Sequence, residues 1–358
     1  MDRLENLRKN MKKLALDAVI VYKLPNVRYF SGYTDEEAYL LITEKENYFL
    51  TDPRFTEQAG KQCPQYKVMN HREFSNLGQC IAELLKGQGI IGGKVGFEEN
   101  SVSYGLYNNI KLGLGDVELL PLCGMLDKLR YVKDEHEIAC ARRAAEISDK
   151  AFDQIIKFVK PGMTENEVAL QLEYYMRKEG AEGVAFDTIL ISGAKSSLLH
   201  GKPDEKVIEN GDFLLMDFGA LYKGYRSDMT RTIMIGNPDE KQKEIYDMVL
   251  KAEVAAVATV KAGVTSEVPD AAARKECEKY IEYYYQGIGH GVGLELHEEP
   301  FISHKGGWTF EKNCVITVEP GLYIPGWGGV RIEDTVIVTE NGCEILTKAP
   351  KELIIVNN

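Results

Sequence analysis

Closely paired cysteines are missing from this chain. Its seven cysteines, Cys63, Cys80, Cys123, Cys140, Cys277, Cys314 and Cys343, are odd in number, scattered and never spaced as CxxC. That pattern argues against a disulfide framework or a thiolate zinc site, and predicts reduced, mostly buried thiols in a cytoplasmic protein. No apolar run approaches the length of a membrane span, so no membrane partner is expected. The N-terminus, MDRLENLRKNMKKLALDAVIVY, has no basic region followed by an apolar stretch and a small-residue cleavage site, so no leader is expected. Basic residues are in deficit: 43 Lys and Arg stand against 55 Asp and Glu, for a formal net charge of -12. A nucleic-acid partner would favour a basic face and is not expected. The acidic surplus helps attract cations, although bulk charge says little about any one site.

At 358 residues, with 44% hydrophobic and 27% charged, the chain reads as soluble, globular and long enough for two domains. Leu4, Leu7, Met11 and Leu14 recur at helical spacing and open it with an amphipathic helix. Residues 18–22 read as a buried strand, and AYLLIT and NYFLTD as two strands joined by the turn 44–46. Helices are expected over 54–62, 77–87 and 103–112, with strands over 94–97 and 117–122. Alternating strands and helices over this length imply an α/β domain. The texture changes near Cys123, which places the domains at 1–124 and 125–358. Residues 133–159 form one long amphipathic helical pattern, ended by Pro161-Gly162. Thr164, with Glu167 three residues on, is a capping box for a second helix to Lys178. FDTILIS, DFLLMDFGA and MTRTIMIG follow as strands, then helices over 239–261 and 266–282, then mostly strand. The second domain is therefore α+β and largely antiparallel. Its order of helix pair, strands, helix pair, strands suggests an internal pseudo-repeat.

Five short segments carry chemistry: MDFGA with Asp217, YRSDMTRT with Asp228, GIGHGVGLELHE with His290, VEPGLY with Glu319 and GGVRIEDT with Glu333. Four carboxylates cancel the charge of two divalent cations, and one neutral imidazole leaves room for a bridging water or hydroxide. Oxygen-rich ligation suits hard to borderline cations. A hairpin around Tyr222-Lys223-Gly224-Tyr225 would set Asp217 and Asp228 side by side. In VRIEDTVIVT, alternation puts Val330 and Ile332 on one face and Arg331, Glu333 and Thr335 on the other. A charged face on so apolar a strand needs partners. Taken singly, each residue has a plain structural alternative: turn or N-cap aspartates, an Arg331–Glu333 surface pair, a histidine in a glycine-rich loop. His290 and His297 lie seven apart, which is not HExxH, and no GK[ST] follows the glycines.

Taken in order, the five segments resemble the pita-bread metallopeptidases: methionine aminopeptidase, aminopeptidase P and Xaa-Pro dipeptidase (prolidase). The likeness covers nearly the whole chain, and none of the family's five ligand positions is missing. NVRYFSGYT, TDPRFTEQA and LRYVKDEHEI look like the N-terminal domain and linker of the prolidase and aminopeptidase P branch, which methionine aminopeptidase lacks. The resemblance implies an α/β creatinase-like N-terminal domain followed by an α+β pita-bread catalytic domain. It implies metal ligation by Asp217, Asp228, His290, Glu319 and Glu333, with Arg331 orienting a carboxylate behind them. The cofactor would be two divalent ions, manganese first, with cobalt, zinc or iron as alternatives.

By the same resemblance, Glu319 is both ligand and general base to a metal-bridging hydroxide, and His200 and His297 contact the scissile carbonyl. The expected activity is hydrolysis of Xaa-Pro bonds at the N-terminus of dipeptides or short proline-containing peptides. A homodimer is implied, with the partner's N-terminal domain closing the cleft. Alternatives are a creatinase-like non-metal hydrolase and an inactive peptide-binding relative, both of which usually lose ligands that this chain keeps. Two positions depart from the pattern. Leu199 stands before His200, where the family often has proline. Glu299-Pro300-Phe301 stands where some archaeal prolidases carry an arginine that handles the substrate carboxylate.

Overall fold

The computed structural model describes residues 2–357, which fall into two compact units divided between Arg130 and Tyr131. The first unit opens with helix Arg3–Lys13, where the Asp2 side chain accepts from the Leu4 and Glu5 amides. Leu7 and Met11 are buried beneath it, while Leu14, at the C-cap, is half exposed. Six strands form its sheet: β1 (Ala18–Val21), β2 (Tyr39–Thr43), β3 (Asn47–Thr51), β4 (Lys67–Asn70), β5 (Lys94–Phe97) and β6 (Glu118–Pro121). Their order is β4-β3-β2-β1-β5-β6. The β1–β2 and β2–β3 pairs are antiparallel and the outer three are parallel.

Several elements here were not expected, a helix and an edge strand among them. Helix Leu24–Ser31 carries Pro25 in its first turn, where a missing N–H costs nothing, and Gly32 closes it at φ 80°. Strand β4 is a four-residue sheet edge without alternation. The helix expected from residue 54 begins at Thr56, because Asp52 Oδ1 takes the Arg54 amide at 2.9 Å and holds a turn there. The first unit also runs six residues past the expected boundary. Helix Met125–Lys128 is tied back through Asn26 Nδ2 to Asp127 Oδ1 (3.0 Å), and the Tyr29 hydroxyl donates to the Leu129 carbonyl (2.8 Å).

The second unit repeats one arrangement twice. Helices Glu135–Phe158 and Glu165–Lys178 each start from a capping box, at Asp134 and Thr164. They cover one face of a four-stranded sheet, Ile189–Ser192, Phe213–Phe218, Met229–Ile235 and Ile355–Val356. Helices Glu240–Thr259 and Glu267–Glu276 cover a five-stranded sheet, Glu298–Ile302, Gly289–Gly291, Val315–Val318, Asp334–Val338 and Cys343–Ile345. A hairpin, Gly321–Ile324 with Gly328–Arg331, lies in sequence between the strands Val315–Val318 and Asp334–Val338. Pairing is antiparallel apart from Ile355–Val356 on Met229–Ile235.

The helix expected over 266–282 is broken. It ends at Glu276 and resumes as the 3-10 segment Glu278–Tyr283, where Tyr280 leaves helical geometry. Tyr284 beyond it bridges to Leu322, so β pairing draws the aromatic run out of the helix.

Strand alternation then sets the site. Leu214, Met216 and Phe218 face one pair of helices; Ile316, Val318, Val330, Ile332, Val336 and Val338 face the other. The odd-numbered residues Asp217, Thr317, Arg331, Glu333 and Thr335 are left to the opposite faces.

Candidate metal centre

Asp217 lies in strand Phe213–Phe218, and Asp228 directly precedes strand Met229–Ile235, whose Thr230 pairs with Asp217. The chain between them doubles back through Lys223-Gly224, as the expected hairpin requires. Gly219 permits the crossing: a Cβ there would lie 1.9 Å from the Ser227 carbonyl oxygen. Ligand oxygens of Asp217, Asp228 and Glu333 all fall within 4.8 Å of one another. His290 Nε2 stands 3.3 Å from Glu319 Oε1 and 3.6 Å from Asp228 Oδ2. The five sequence-derived ligand candidates therefore converge.

Each is held from behind. The Gly291 carbonyl, 3.0 Å from His290 Nδ1, can only accept, which puts the proton on Nδ1 and leaves Nε2 facing the acids. Gly289 brings that strand close: its Cβ would lie 2.1 Å from the Thr317 carbonyl. The His290 amide donates to Thr317 Oγ1 (3.1 Å), which donates to Glu319 Oε1 (3.3 Å). Arg331, only 3% exposed, donates to Asp217 Oδ2 (2.5 Å), the Tyr323 hydroxyl (2.7 Å) and Thr230 Oγ1 (3.0 Å). Thr230 in turn donates to Glu333 Oε2 at 2.7 Å. Thr230, Thr317 and Tyr323 were not foreseen. Thr230 and Thr317 could have been found by parity, since each shares a strand face with a ligand candidate.

Burial is the main force on the titration of these acids. It drives Asp228 and Glu333 well above the ordinary carboxylate range, and neighbouring carboxylates add to it. Burial also raises Asp217, against the opposing charge of Arg331. At Glu319 burial is outweighed by His290, Arg331 and Thr317, so its carboxyl lies below the usual value. His290 is the mirror case: burial lowers it, but the Glu319 contact outweighs burial and raises it. Acids packed this closely in a dry site stay ionised only with positive charge among them.

Two buried oxygens, Asp217 Oδ1 and Glu333 Oε1, have no hydrogen-bond partner. An orphaned buried acceptor costs roughly 1–3 kcal/mol, more when charged. Both belong to the cluster, and an oxygen-rich set with one imidazole fits divalent cations. The cluster opens on a cleft of about 660 Å³. His200 and His297 line it with Asp217, Asp228, His290 and Glu319. The His297 ring meets that of His290 edge-on at 4.4 Å between centroids. Burial first, then the nearby imidazoles, lowers the His297 pKa and favours its neutral form.

This geometry has close counterparts. Residues 139–340 match Metallopeptidase family M24, and residues 3–132 match the Creatinase/Prolidase N-terminal domain. The chain belongs to metallopeptidase family M24, with the creatinase-type N-terminal domain and pita-bread domain that the motifs implied. It is 40% identical to the Xaa-Pro dipeptidase of Pyrococcus furiosus over 99% of each chain. It is similar to the solved structure of an Xaa-Pro dipeptidase from Bacillus anthracis, with TM-score 0.94, 43% identity and 99% of each chain covered. An X-Pro aminopeptidase from Thermotoga maritima gives TM-score 0.92 at 39% identity, over 99% of this chain and all of that one. Among the described residues no helix is long and apolar enough to cross a membrane.

Proposed function

We propose that this chain hydrolyses the Xaa-Pro bond at the N-terminus of dipeptides or short peptides, with two divalent cations held by Asp217, Asp228, His290, Glu319 and Glu333. The observation that carries this reading is the buried convergence of these five groups, two with orphaned oxygens, at the floor of a cleft lined by two further histidines. When bound, the cations would supply Lewis acidity and lower the pKa of a coordinated water. Glu319 takes the proton of the attacking water on its carboxylate. Arg331 keeps Asp217 charged and aimed. His200 and His297 stand in the cleft to contact the carbonyl as its oxygen gains charge.

The substrate follows from the same groups. An Xaa-Pro bond is a tertiary amide without an N–H, so a site that needs that donor cannot use it. Here the groups address the carbonyl and the water. The proline nitrogen takes up a proton on leaving, which Glu319 returns. The acidic cluster favours the free N-terminal amine nearby. Manganese is the first choice of cation, in a cytoplasmic homodimer.

The test is release of the N-terminal residue from Ala-Pro, Ala-Pro-NH2 and Ala-Pro-Ala after loading with manganese, cobalt, zinc or iron. Cleavage is expected with at least one cation. Failure of every combination refutes the reading.

A further inference from the structure

The segment LRYVKDEHEI brings a cation into the interior of the second unit. Lys133 is 3% exposed, and its Nζ pairs with Glu298 Oε2 at 2.9 Å. Glu298, 7% exposed, directly follows His297 in the chain. Neither Lys133 nor Glu298 lines the cleft. Taking two charges out of water is costly, and apolar residues of like volume often serve stability as well. A buried pair at this position therefore points to a demand for placement.

The part placed is the loop that carries His297. The His297 ring meets His290 edge-on but makes no hydrogen bond to a described residue, so its position follows the backbone beneath it. Strand pairing holds that backbone weakly. Strand Glu298–Ile302 is a sheet edge, and its register slips beside the loop: His290 pairs with Phe301 but Gly291 with Glu298. Side chains and turns supply the hold instead. Glu298 Oε1 accepts the Glu295 amide at 3.0 Å, and the Gly293 amide donates to the Glu295 carbonyl at 3.0 Å. The Arg226 amide donates to the Gly293 carbonyl at 2.9 Å. A Cβ on Gly293 would lie 3.0 Å from Glu298 Oε2, so carboxylate and loop backbone are in close contact. Glu298 thus grips the loop with one oxygen and Lys133 with the other. Lys133 is fixed in turn, its amide donating to the Asn313 carbonyl at 3.0 Å.

Resting on the functional reading above, we infer that Lys133 and Glu298 are positioning residues for catalysis. The buried pair sets the loop from Gly293 to Glu298 and so presents the His297 imidazole to the scissile carbonyl. Both act through His297 and not on the substrate directly.

The test replaces the pair together, Lys133→Met/Glu298→Leu, which strands no charge. In the manganese-loaded enzyme acting on Ala-Pro, Ala-Pro-NH2 or Ala-Pro-Ala, kcat should fall roughly 10- to 100-fold, the scale of a misplaced group near the chemistry. KM and manganese content should stay as in wild type, and amide hydrogen exchange should quicken at residues 293–298. On a His297→Ala background, assayed at raised enzyme concentration, the same replacement should lower kcat by less than about two-fold, because nothing is left to place. Unchanged kcat, equal losses in both backgrounds, unchanged exchange or lost manganese each overturn the inference and leave the functional reading standing. Where the pair replacement does not fold, Glu298→Gln, which keeps shape, carries the same comparison with the same outcomes. If the wild-type enzyme turns over none of the three substrates, the functional reading fails and this inference with it.

Discussion

Replacing Arg331 by methionine probes the centre from behind without touching a ligand candidate. Methionine keeps the length and apolar stem but deletes the donors to Asp217, Tyr323 and Thr230, together with a long one to the Leu199 carbonyl. Asp217 Oδ1 already lacks a partner, so the variant leaves both oxygens of a buried carboxylate bare. Breaking a buried ion pair costs about 3–5 kcal/mol, and the two neutral acceptors contribute roughly 1 kcal/mol each. These terms overlap, so a total of about 4 kcal/mol is expected for the cation-free protein. Bound cations would replace part of the lost charge, so the loss should shrink when manganese is present. Metal affinity or turnover should fall about 10- to 100-fold, the range for groups that orient metal ligands. Denaturant unfolding with chelator and with manganese, metal stoichiometry and kcat/KM on one substrate measure these effects. The reasoning fails if Arg331→Met loses under 1 kcal/mol in chelator and keeps wild-type metal content and turnover. Arg331→Lys should recover stability only in part, since one ammonium cannot reproduce the guanidinium fork.

Glu319→Gln keeps shape and removes the proton acceptor, so kcat should drop about 10²- to 10⁴-fold; near-normal turnover at full metal content refutes its role. Gly219→Ala places a methyl against the Ser227 carbonyl, and strain of about 1–3 kcal/mol should appear as a lower unfolding midpoint together with weaker cation binding. Glu253, buried beside Asp334 and Lys351, is pushed up to about 8 from 4.5, first by burial and then by Asp334. A raised folded-state pKa contributes stability that is full below about pH 4.5 and fades as pH rises through 8. Glu253→Gln should therefore flatten the fall in unfolding free energy across that window, and an unchanged slope counts against the shift.

Period-two alternation made the faces of the site legible. Val330 and Ile332 do join the helix-covered core, while Arg331, Glu333 and Thr335 turn away from it. Alternation could not show that this run is two strands. Residues 328–331 pair with the hairpin and 334–338 with the five-stranded sheet, and the handover at Ile332-Glu333 depends on partners distant in sequence. The break at Tyr280 was hidden for the same reason, because the competing partner of Tyr284 is Leu322. The capping box at Thr164 is local and marked its helix correctly, and the structure adds a second at Asp134. The ligand candidates carried strong local motifs. The link from Arg331 through Thr230 to Glu333 did not, since it joins side chains about a hundred positions apart.

That handover puts Glu333 at a seam. Asp217 and Asp228 come from the four-stranded half of the second unit, and His290 and Glu319 from the five-stranded half. Glu333 lies where the backbone passes into the second of them, with its amide on the Thr230 carbonyl of the first at 3.1 Å. A cation there would act as a rivet through two plates. Neither plate carries the whole hole, so each would be metal-blind when parted from the other. Affinity for the ion thus doubles as a gauge of how firmly the halves are docked, and a chelator would pry at their seam before it loosened either helix pair.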